Sequence, residues 1–306
     1  MERALVVGAG VVGLSCAVRL LEAGLRVDVL ARDLPLETTS ALAAAFWYPY
    51  RAHPVDRVTA WSATTYEELV RLVDEADAGV VMRAGTELMH EVTGDPPWTD
   101  IVSSFARVPA PSGYADAWTF VAPVIEMPFY LRWLAGRVVA LGGTITRAGL
   151  GGLPEADDVL VVNATGLGAR LTAADPSVTP VRGQVVLVEQ CGLERWWLDE
   201  SGPSYVVPRS RDIVLGGTDD EGEWDRAPDP AVTRRIVEKA ATLVPEIADA
   251  RVLAVRVGLR PERPEVRLER ERRGAATVVH CYGHGGAGVT LSWGCADEVV
   301  ELARTS

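Results

Sequence analysis

Ala4-Leu-Val-Val-Gly8-Ala9-Gly10-Val11-Val12-Gly13 is the stretch that decides the fold. Its first half is a short apolar run of the kind buried on both faces of a parallel sheet. Its second half is G-x-G-x-x-G. The first glycine of that pattern makes a tight turn, the second lets backbone approach a pyrophosphate, and the third lets a helix pack on the strand. Val11 to Ala23 then carries helical periodicity, and Gly24 stands where a C′ glycine closes a helix. Arg26-Val-Asp-Val-Leu30 reads as a second strand. The stretch therefore predicts a β-α-β unit whose helix N-terminus offers free N–H groups and a favourable dipole to phosphate.

Outward from this unit, the chain has 306 residues, enough for two domains or one two-lobed unit. Apolar residues at 48% and charged residues at 24% exclude a disordered chain. A net charge of −12 argues against a general nucleic-acid binder, although a pocket can still be locally positive. Cys16, Cys191, Cys281 and Cys295 form no C-x-x-C pair and are too sparse for a disulfide scaffold, which implies a reducing compartment. The apolar stretch Ala4–Val18 is interrupted by glycines and flanked by Glu2, so it does not read as a signal peptide, and no run is long enough to span a membrane. The tail Arg304-Thr-Ser306 is not a Ser-Lys-Leu address, and the cytoplasm is the expected location.

Further along, residues 31–57 read as loop, Val58–Asp77 as an amphipathic helix, and 80–125 as short strands broken by Pro and Gly. Pro128–Leu141 reads as a helix, and Thr144–Arg147 and Val159–Val162 as strands. Gly183–Gly217 alternates in the manner of antiparallel sheet, and Ala231–Leu243 is helical. Val252–Val257 and Ala276–Cys281 read as strands, and a glycine-rich turn leads into a helix over Thr290–Ala303. No linker separates these segments, so the expected fold is α/β with interleaved domains. A Rossmann-like, cofactor-binding domain takes 1–55, 140–185 and 250–306. An α+β, antiparallel-sheet substrate-binding domain takes 56–139 and 186–249.

The identity of the nucleotide is open at the end of the second strand. Arg32 there would suit a 2′-phosphate, whereas Asp33 would suit a ribose. Two later features favour FAD. Val161-Val-Asn163-Ala-Thr165-Gly166 is a strand ending in small polar residues, and Gly283-His-Gly285-Gly286-Ala287-Gly288 opens the last helix with a second nest of N–H groups. That helix dipole would favour the reduced, anionic ring of a flavin.

Several blocks together resemble the D-amino acid oxidases along essentially the whole chain. They are the N-terminal glycine motif, Thr38-Thr39-Ser40, Trp47-Tyr-Pro-Tyr50, Val-Asn163-Ala-Thr-Gly166, Arg182-Gly-Gln184 and Tyr205-Val-Val-Pro208. The most specific are Gly258-Leu-Arg260-Pro-Glu-Arg263-Pro and His280-Cys-Tyr-Gly-His-Gly-Gly-Ala-Gly288. The resemblance implies a noncovalent FAD and oxidation of a D-amino acid to an imino acid, with O2 reduced to H2O2. It implies that Arg260 clamps the substrate carboxylate, that the Tyr205 hydroxyl helps, and that the Gly286 carbonyl takes the amine. For the cofactor it implies contacts at Gly8, Gly10, Val11, Val12 and Gly13, with Arg32 and Asp33 at the adenosine end. Thr38, Thr39 and Ser40 fall near the phosphates and ribityl chain, and Ala45, Phe46 and Trp47 along the ring. Leu150, Thr165, Gly166, Gly258 and Arg260 complete the cradle with Gly283, Gly285, Gly286, Ala287, Gly288, Val289 and Thr290.

Departures from the family pattern bear on substrate. Ser201 stands where many members carry a second active-site tyrosine, and the Trp196–Tyr205 segment is short. A second carboxylate-directed arginine is not visible there, although Arg195 and Arg209 flank the region. The expected substrates are thus neutral or hydrophobic D-amino acids. D-aspartate or glycine oxidation, or a flavin dehydrogenase with another electron acceptor, are the alternatives. Hydride transfer from the substrate α-carbon needs orientation rather than a strong base, so no catalytic histidine is expected. No metal is expected at His280, Cys281 and His284, and no G-x-S-x-G elbow is present. The partners implied are a small D-amino acid and O2; a homodimer is compatible with the sequence, a nucleic acid or membrane partner is not.

Overall fold

Strand β1 (Arg3–Val7) is buried on both faces and pairs in parallel with β2 (Arg26–Ala31), and helix α1 (Val11–Glu22) connects them. The crossover is tight because a Cβ on Gly13 would lie 2.1 Å from the Gly8 carbonyl oxygen; Gly8 itself has φ +117°. Glycine is required at both positions. Gly24, at φ +91°, reverses the chain after α1. This is the β-α-β unit that the opening stretch predicts. The structure, a computed structural model, describes residues 3–155, 159–274 and 276–304; Glu2 and the Thr305–Ser306 tail lie outside them.

The remaining elements follow in chain order. Helix α2 spans Val55–Arg71, and strands β3 (Val80–Met89), β4 (Ser103–Arg107) and β5 (Asp116–Ile125) follow. Helix α3 (Met127–Ala140) leads to β6 (Thr144–Arg147), β7 (Val159–Asn163) and the single turn α4 (Ala169–Thr172). An antiparallel run comprises β8 (Thr179–Glu189), β9 (Trp196–Asp199), β10 (Ser204–Pro208), β11 (Asp212–Gly216) and the short β12 (Asp220–Glu221). Helix α5 (Pro230–Leu243) is N-capped by Asp229, whose side chain accepts from the N–H groups of Ala231 and Val232. Two long strands, β13 (Val252–Arg273) and β14 (Ala276–His284), precede the last helix, α6 (Gly288–Arg304).

Among the described residues the strands join one sheet in the order β4-β5-β3-β9-β10-β11-β8-β13-β14-β7-β1-β2-β6, with β12 paired to β8. The end β14-β7-β1-β2-β6 is parallel, as crossover helices demand. The other end is antiparallel apart from the β3–β9 pair. The fold is thus α/β. Where short strands are expected over 80–125, the structure has two ten-residue strands, β3 and β5, paired along their full length. The expected strand Val252–Val257 extends to Arg273 and passes through Pro261 and Pro264. It does so by changing partner: up to Glu262 it pairs with β8, and from Arg267 with β14. The prolines fall at this change, where ladder N–H groups are not all needed.

Helix α6 packs against β14, α1 and α2, and these neighbours hold it in place. A Cβ on Gly294 would lie 2.4 Å from backbone of Trp61, so α2 and α6 cross in near contact. Thr65 Oγ1 accepts from the N–H groups of Trp293 and Gly294 at 3.1 Å. Arg19 lies over the Trp293 ring at 4.4 Å and pairs with Glu68 and Asp297 at 2.9 and 2.8 Å. Fully buried Trp47, Trp196 and Trp293 anchor the apolar core around this junction.

Candidate active site

One cavity of about 690 Å³ runs from the end of β2 to the start of α6. That is within the size range of cofactor sites. At one end it is lined by Arg32 and Asp33, at the other by Gly258, Arg260, Tyr205 and Gly286. The wall also holds Gly8, Gly10, Val11, Val12 and Gly13, Thr38, Thr39 and Ser40, Ala45, Phe46 and Leu150, Thr165 and Gly166, and Gly285, Gly288, Val289 and Thr290. Motifs scattered over the chain thus converge on one wall. Gly10 caps α1 without a side chain, and Ser40 Oγ accepts the Val11 N–H at 3.0 Å, bringing the 38–40 turn against the helix start. A Cβ on Gly10 would lie 3.1 Å from that oxygen, inside the cradle. Thr290 Oγ1 accepts the Tyr48 N–H at 3.1 Å and donates to the Tyr48 carbonyl at 2.9 Å, which ties the start of α6 to the 45–50 segment. Two glycine-lined helix starts facing one elongated cavity fit a dinucleotide with its phosphates at backbone N–H groups.

At the far end the side chains are seated on glycines. A Cβ on Gly183 would lie 2.6 Å from Cζ, Nη1 and Nη2 of Arg260, so the guanidinium rests flat on that α-carbon. A Cβ on Gly216 would lie 1.8 Å from Cζ of Tyr205, whose ring crosses the neighbouring strand. A Cβ on Gly286 would lie 2.7 Å from Cδ1 of Tyr50. Arg260 Nη1 donates to the Thr218 carbonyl at 2.9 Å, which sets the plane of the fork. Burial pushes the Tyr205 phenol up, and the Arg260 charge pulls it part of the way back. At neutral pH the cavity end therefore presents a planar cation and a neutral hydroxyl, a pair suited to a carboxylate.

Three expected residues do not line the cavity. Trp47 is fully buried on the other side of the chain, donating Nε1 to the Ser62 carbonyl at 2.9 Å and packing edge-on against Tyr66 and Trp98. Gly283 is needed for its φ of +85° and for the passage of Arg263, whose Cβ would lie 2.8 Å from a Cβ there. Ala287 is fully buried at the entry to α6. Ser201 also stays off the wall: its N–H donates to Asp199 Oδ1 in an exposed turn. Arg195 and Arg209 are absent from the lining; Arg209 pairs with Asp212 at 2.6 Å, and Arg195 reaches the hydroxyls of Thr86 and Thr119.

Other lining residues lie outside the expected site set. Arg226 reaches the Arg32 end from the segment between β12 and α5. That segment is held by Arg182, which donates to the carbonyls of Asp225 and Ala227, and by Gln184, which donates to the Asp229 carbonyl. In Arg182-Gly-Gln184 the outer residues thus hold a loop while Gly183 receives Arg260. Tyr50 lines the substrate end, donating its hydroxyl to Asp219 Oδ2 at 2.9 Å; burial, then Asp219, push it up to about 12. Tyr48 lines the wall beside Phe46 and donates to buried Glu87 at 2.6 Å. Burial pushes Glu87 up to about 7, against the pull of that hydrogen bond.

His280 is off the cavity, bonded to Glu271 at 2.9 Å and to Asn163 at 3.2 Å. His284 does line it, and burial pushes it down to about 4, so it is uncharged near neutrality. Cys281, His284 and Cys295 bring their ligand atoms within 4.8 Å of one another, all three buried. The Cys295 thiol is held up by burial.

Comparison with known proteins agrees with this architecture. Residues 3–302 match the FAD dependent oxidoreductase family. The chain is 50% identical to a D-amino-acid oxidase of Rubrobacter xylanophilus over 99% of its own length and 96% of the relative's. It is 43% identical to a D-amino-acid oxidase of Streptomyces coelicolor, covering 97% and 95%. Its fold superposes on a glycine oxidase from Geobacillus kaustophilus with a TM-score of 0.82 at 21% identity, covering 100% of this chain and 96% of that one. The chain belongs to the D-amino acid oxidase family of FAD-dependent oxidoreductases, and FAD is its cofactor.

Proposed function

We propose that this enzyme oxidises neutral D-amino acids, with Arg260, Tyr205 and Gly286 as the substrate-binding residues. The observation that carries the reading is the Arg260 guanidinium laid on Gly183 at the cavity end, beside Tyr205 on Gly216. A guanidinium has five N–H donors in a fixed fork, and the bond to Thr218 uses one of them. The fork and the Tyr205 hydroxyl hold the α-carboxylate, and the Gly286 carbonyl accepts from the amine. FAD, when bound, supplies the acceptor for the hydride that leaves the substrate α-carbon and returns the electrons to O2 as H2O2. With three points fixed, only one enantiomer directs its α-hydrogen correctly. No basic side chain is required, because a neutral amine is the form that loses the hydride. Among the described residues, the arginines on the cavity wall other than Arg260 are Arg32 and Arg226, and these lie with Asp33 rather than with Tyr205. A second substrate carboxylate therefore has no cation of its own, which favours neutral side chains over acidic ones.

We read 1–55, 140–185 and 250–306 as the cofactor domain and 56–139 with 186–249 as the substrate domain, with β8 running from one into the other and β13 pairing along it. A cytoplasmic location accords with Cys16, Cys191, Cys281 and Cys295 being free thiols, and no helix among the described residues is long and apolar enough to cross a membrane. The test is H2O2 release by the holoenzyme from D-alanine, D-valine, D-aspartate, glycine and L-alanine. Fastest turnover of the neutral D-amino acids supports the reading. A preference for D-aspartate or glycine, or turnover of L-alanine, overturns it.

A further inference from the structure

Asp219, in the turn after β11, is a residue that no motif reading singles out. Its Oδ1 is buried, has no hydrogen-bond partner, and lies 3.9 Å from Arg260 Nη1. Its Oδ2 accepts from the Tyr50 hydroxyl and pairs with Arg51. Arg51 is shared: it also pairs with Glu262 at 3.0 Å and with Glu221. Two cations, Arg51 and Arg260, thus face three carboxylates, Asp219, Glu221 and Glu262, before any substrate enters. The nearby Arg182 is occupied by Asp220 at 3.1 Å.

We propose that Asp219 is a specificity-determining residue that turns the site away from D-amino acids with acidic side chains, by fixing a negative charge against the Arg260 clamp. The proposal rests on the reading of Arg260 as the carboxylate clamp. The α-carboxylate of any substrate meets Arg260 and shares that guanidinium with Asp219. In D-aspartate a second carboxylate follows two carbons later and cannot move far from the first. No unbalanced cation remains at this end to receive it, and Asp219 repels it. At an effective dielectric of about 20, a unit charge roughly 10 Å away alters binding by somewhat more than tenfold, and screening by salt brings this to on the order of tenfold. D-Asparagine, of the same shape without the charge, is not repelled. Tyr50 couples the same residue to the amine side of the site: its hydroxyl is anchored on Asp219 while its ring packs against Gly286.

The experiment compares D-aspartate with D-asparagine on wild-type and Asp219→Asn holoenzymes. Asparagine can still accept from the Tyr50 hydroxyl but carries no charge. The expected result is a ratio of kcat/KM for D-aspartate over D-asparagine about tenfold higher in Asp219→Asn, or about 1.4 kcal/mol, with the gain in KM for D-aspartate. Asp219→Glu should keep the wild-type ratio. A residue that merely holds the fold would lower kcat/KM for both substrates together, and an unmoved ratio overturns the proposal. Should Asp219→Asn not fold, Glu262→Gln removes a charge one ion pair further out and should move the ratio the same way by about two- to threefold; an unmoved ratio there overturns it equally. Failure of the underlying reading looks different: wild-type enzyme would turn over neither D-asparagine nor D-alanine.

Discussion

Gly183→Ala tests the placement of the clamp with little else disturbed. Gly183 sits in the middle of β8, where it pairs with Gly258 of β13, so an alanine is acceptable to the backbone. The new Cβ would lie 2.6 Å from Cζ, Nη1 and Nη2 of Arg260. An ordinary contact needs about 3.5 Å, so the guanidinium must lift by about 0.9 Å. The tip of an arginine yields easily, so the fold and the cofactor site should be retained, with only a small change in Tm. A displacement of about 1 Å at a positioning group costs about a hundredfold in rate, or about 2.7 kcal/mol. The assay is kcat/KM for D-alanine together with flavin absorbance and thermal denaturation. The same substitution made in Arg260→Ala should cost almost nothing further, because the displaced group is gone. Wild-type kcat/KM in Gly183→Ala, or an equal loss in both backgrounds, would show that the guanidinium does not bind substrate from this seat.

Three further outcomes follow from the same geometry. Arg260→Lys keeps the charge but not the planar fork, so KM for D-alanine should rise at least tenfold while the flavin spectrum is unchanged; an unaltered KM would remove Arg260 from the carboxylate site. Glu87 is raised above its unfolded value to about 7, so its contribution is full below about pH 4.5 and lost as pH rises through 7. Glu87→Gln should therefore stabilise the protein at pH 8 relative to pH 5, by on the order of 2–3 kcal/mol, and an identical Tm difference at the two pH values would contradict this. Dialysis against a chelator should leave activity and Tm unchanged, because hydride transfer to a flavin needs no metal; a loss that Zn2+ restores would show that Cys281, His284 and Cys295, which lie within reach of one another, hold one.

The sequence is most legible where one residue type alone can satisfy the geometry. The opening β-α-β unit is readable because a Cβ on Gly13 would lie 2.1 Å from the Gly8 carbonyl oxygen, so only glycine lets the helix start pack there. The glycine-rich entry to α6 was readable for a similar reason. Adjacent aromatics are harder. Phe46 and Trp47 read alike, but successive side chains of an extended segment face opposite ways. Phe46 takes the cavity side, stacking on Trp196 at 5.3 Å, while Trp47 takes the core. The length of β13 was hidden by Pro261 and Pro264, since a proline ordinarily ends a strand and here marks a change of partner. Asp219 and Arg226 were invisible for another reason. They stand on a segment of no regular pattern, and Arg182 and Gln184, some 35 to 45 residues earlier, bring it to the site. Long-range hydrogen bonds of this kind leave no local periodicity to read.

Whether this chain oxidises D-amino acids through its flavin is decided by an anaerobic absorbance spectrum of the holoenzyme before and after D-alanine, followed by admission of air. The flavin bands should bleach with D-alanine, stay unchanged with L-alanine, and return in air. Bands that no D-amino acid bleaches, or that bleach and do not recover in air, would contradict this.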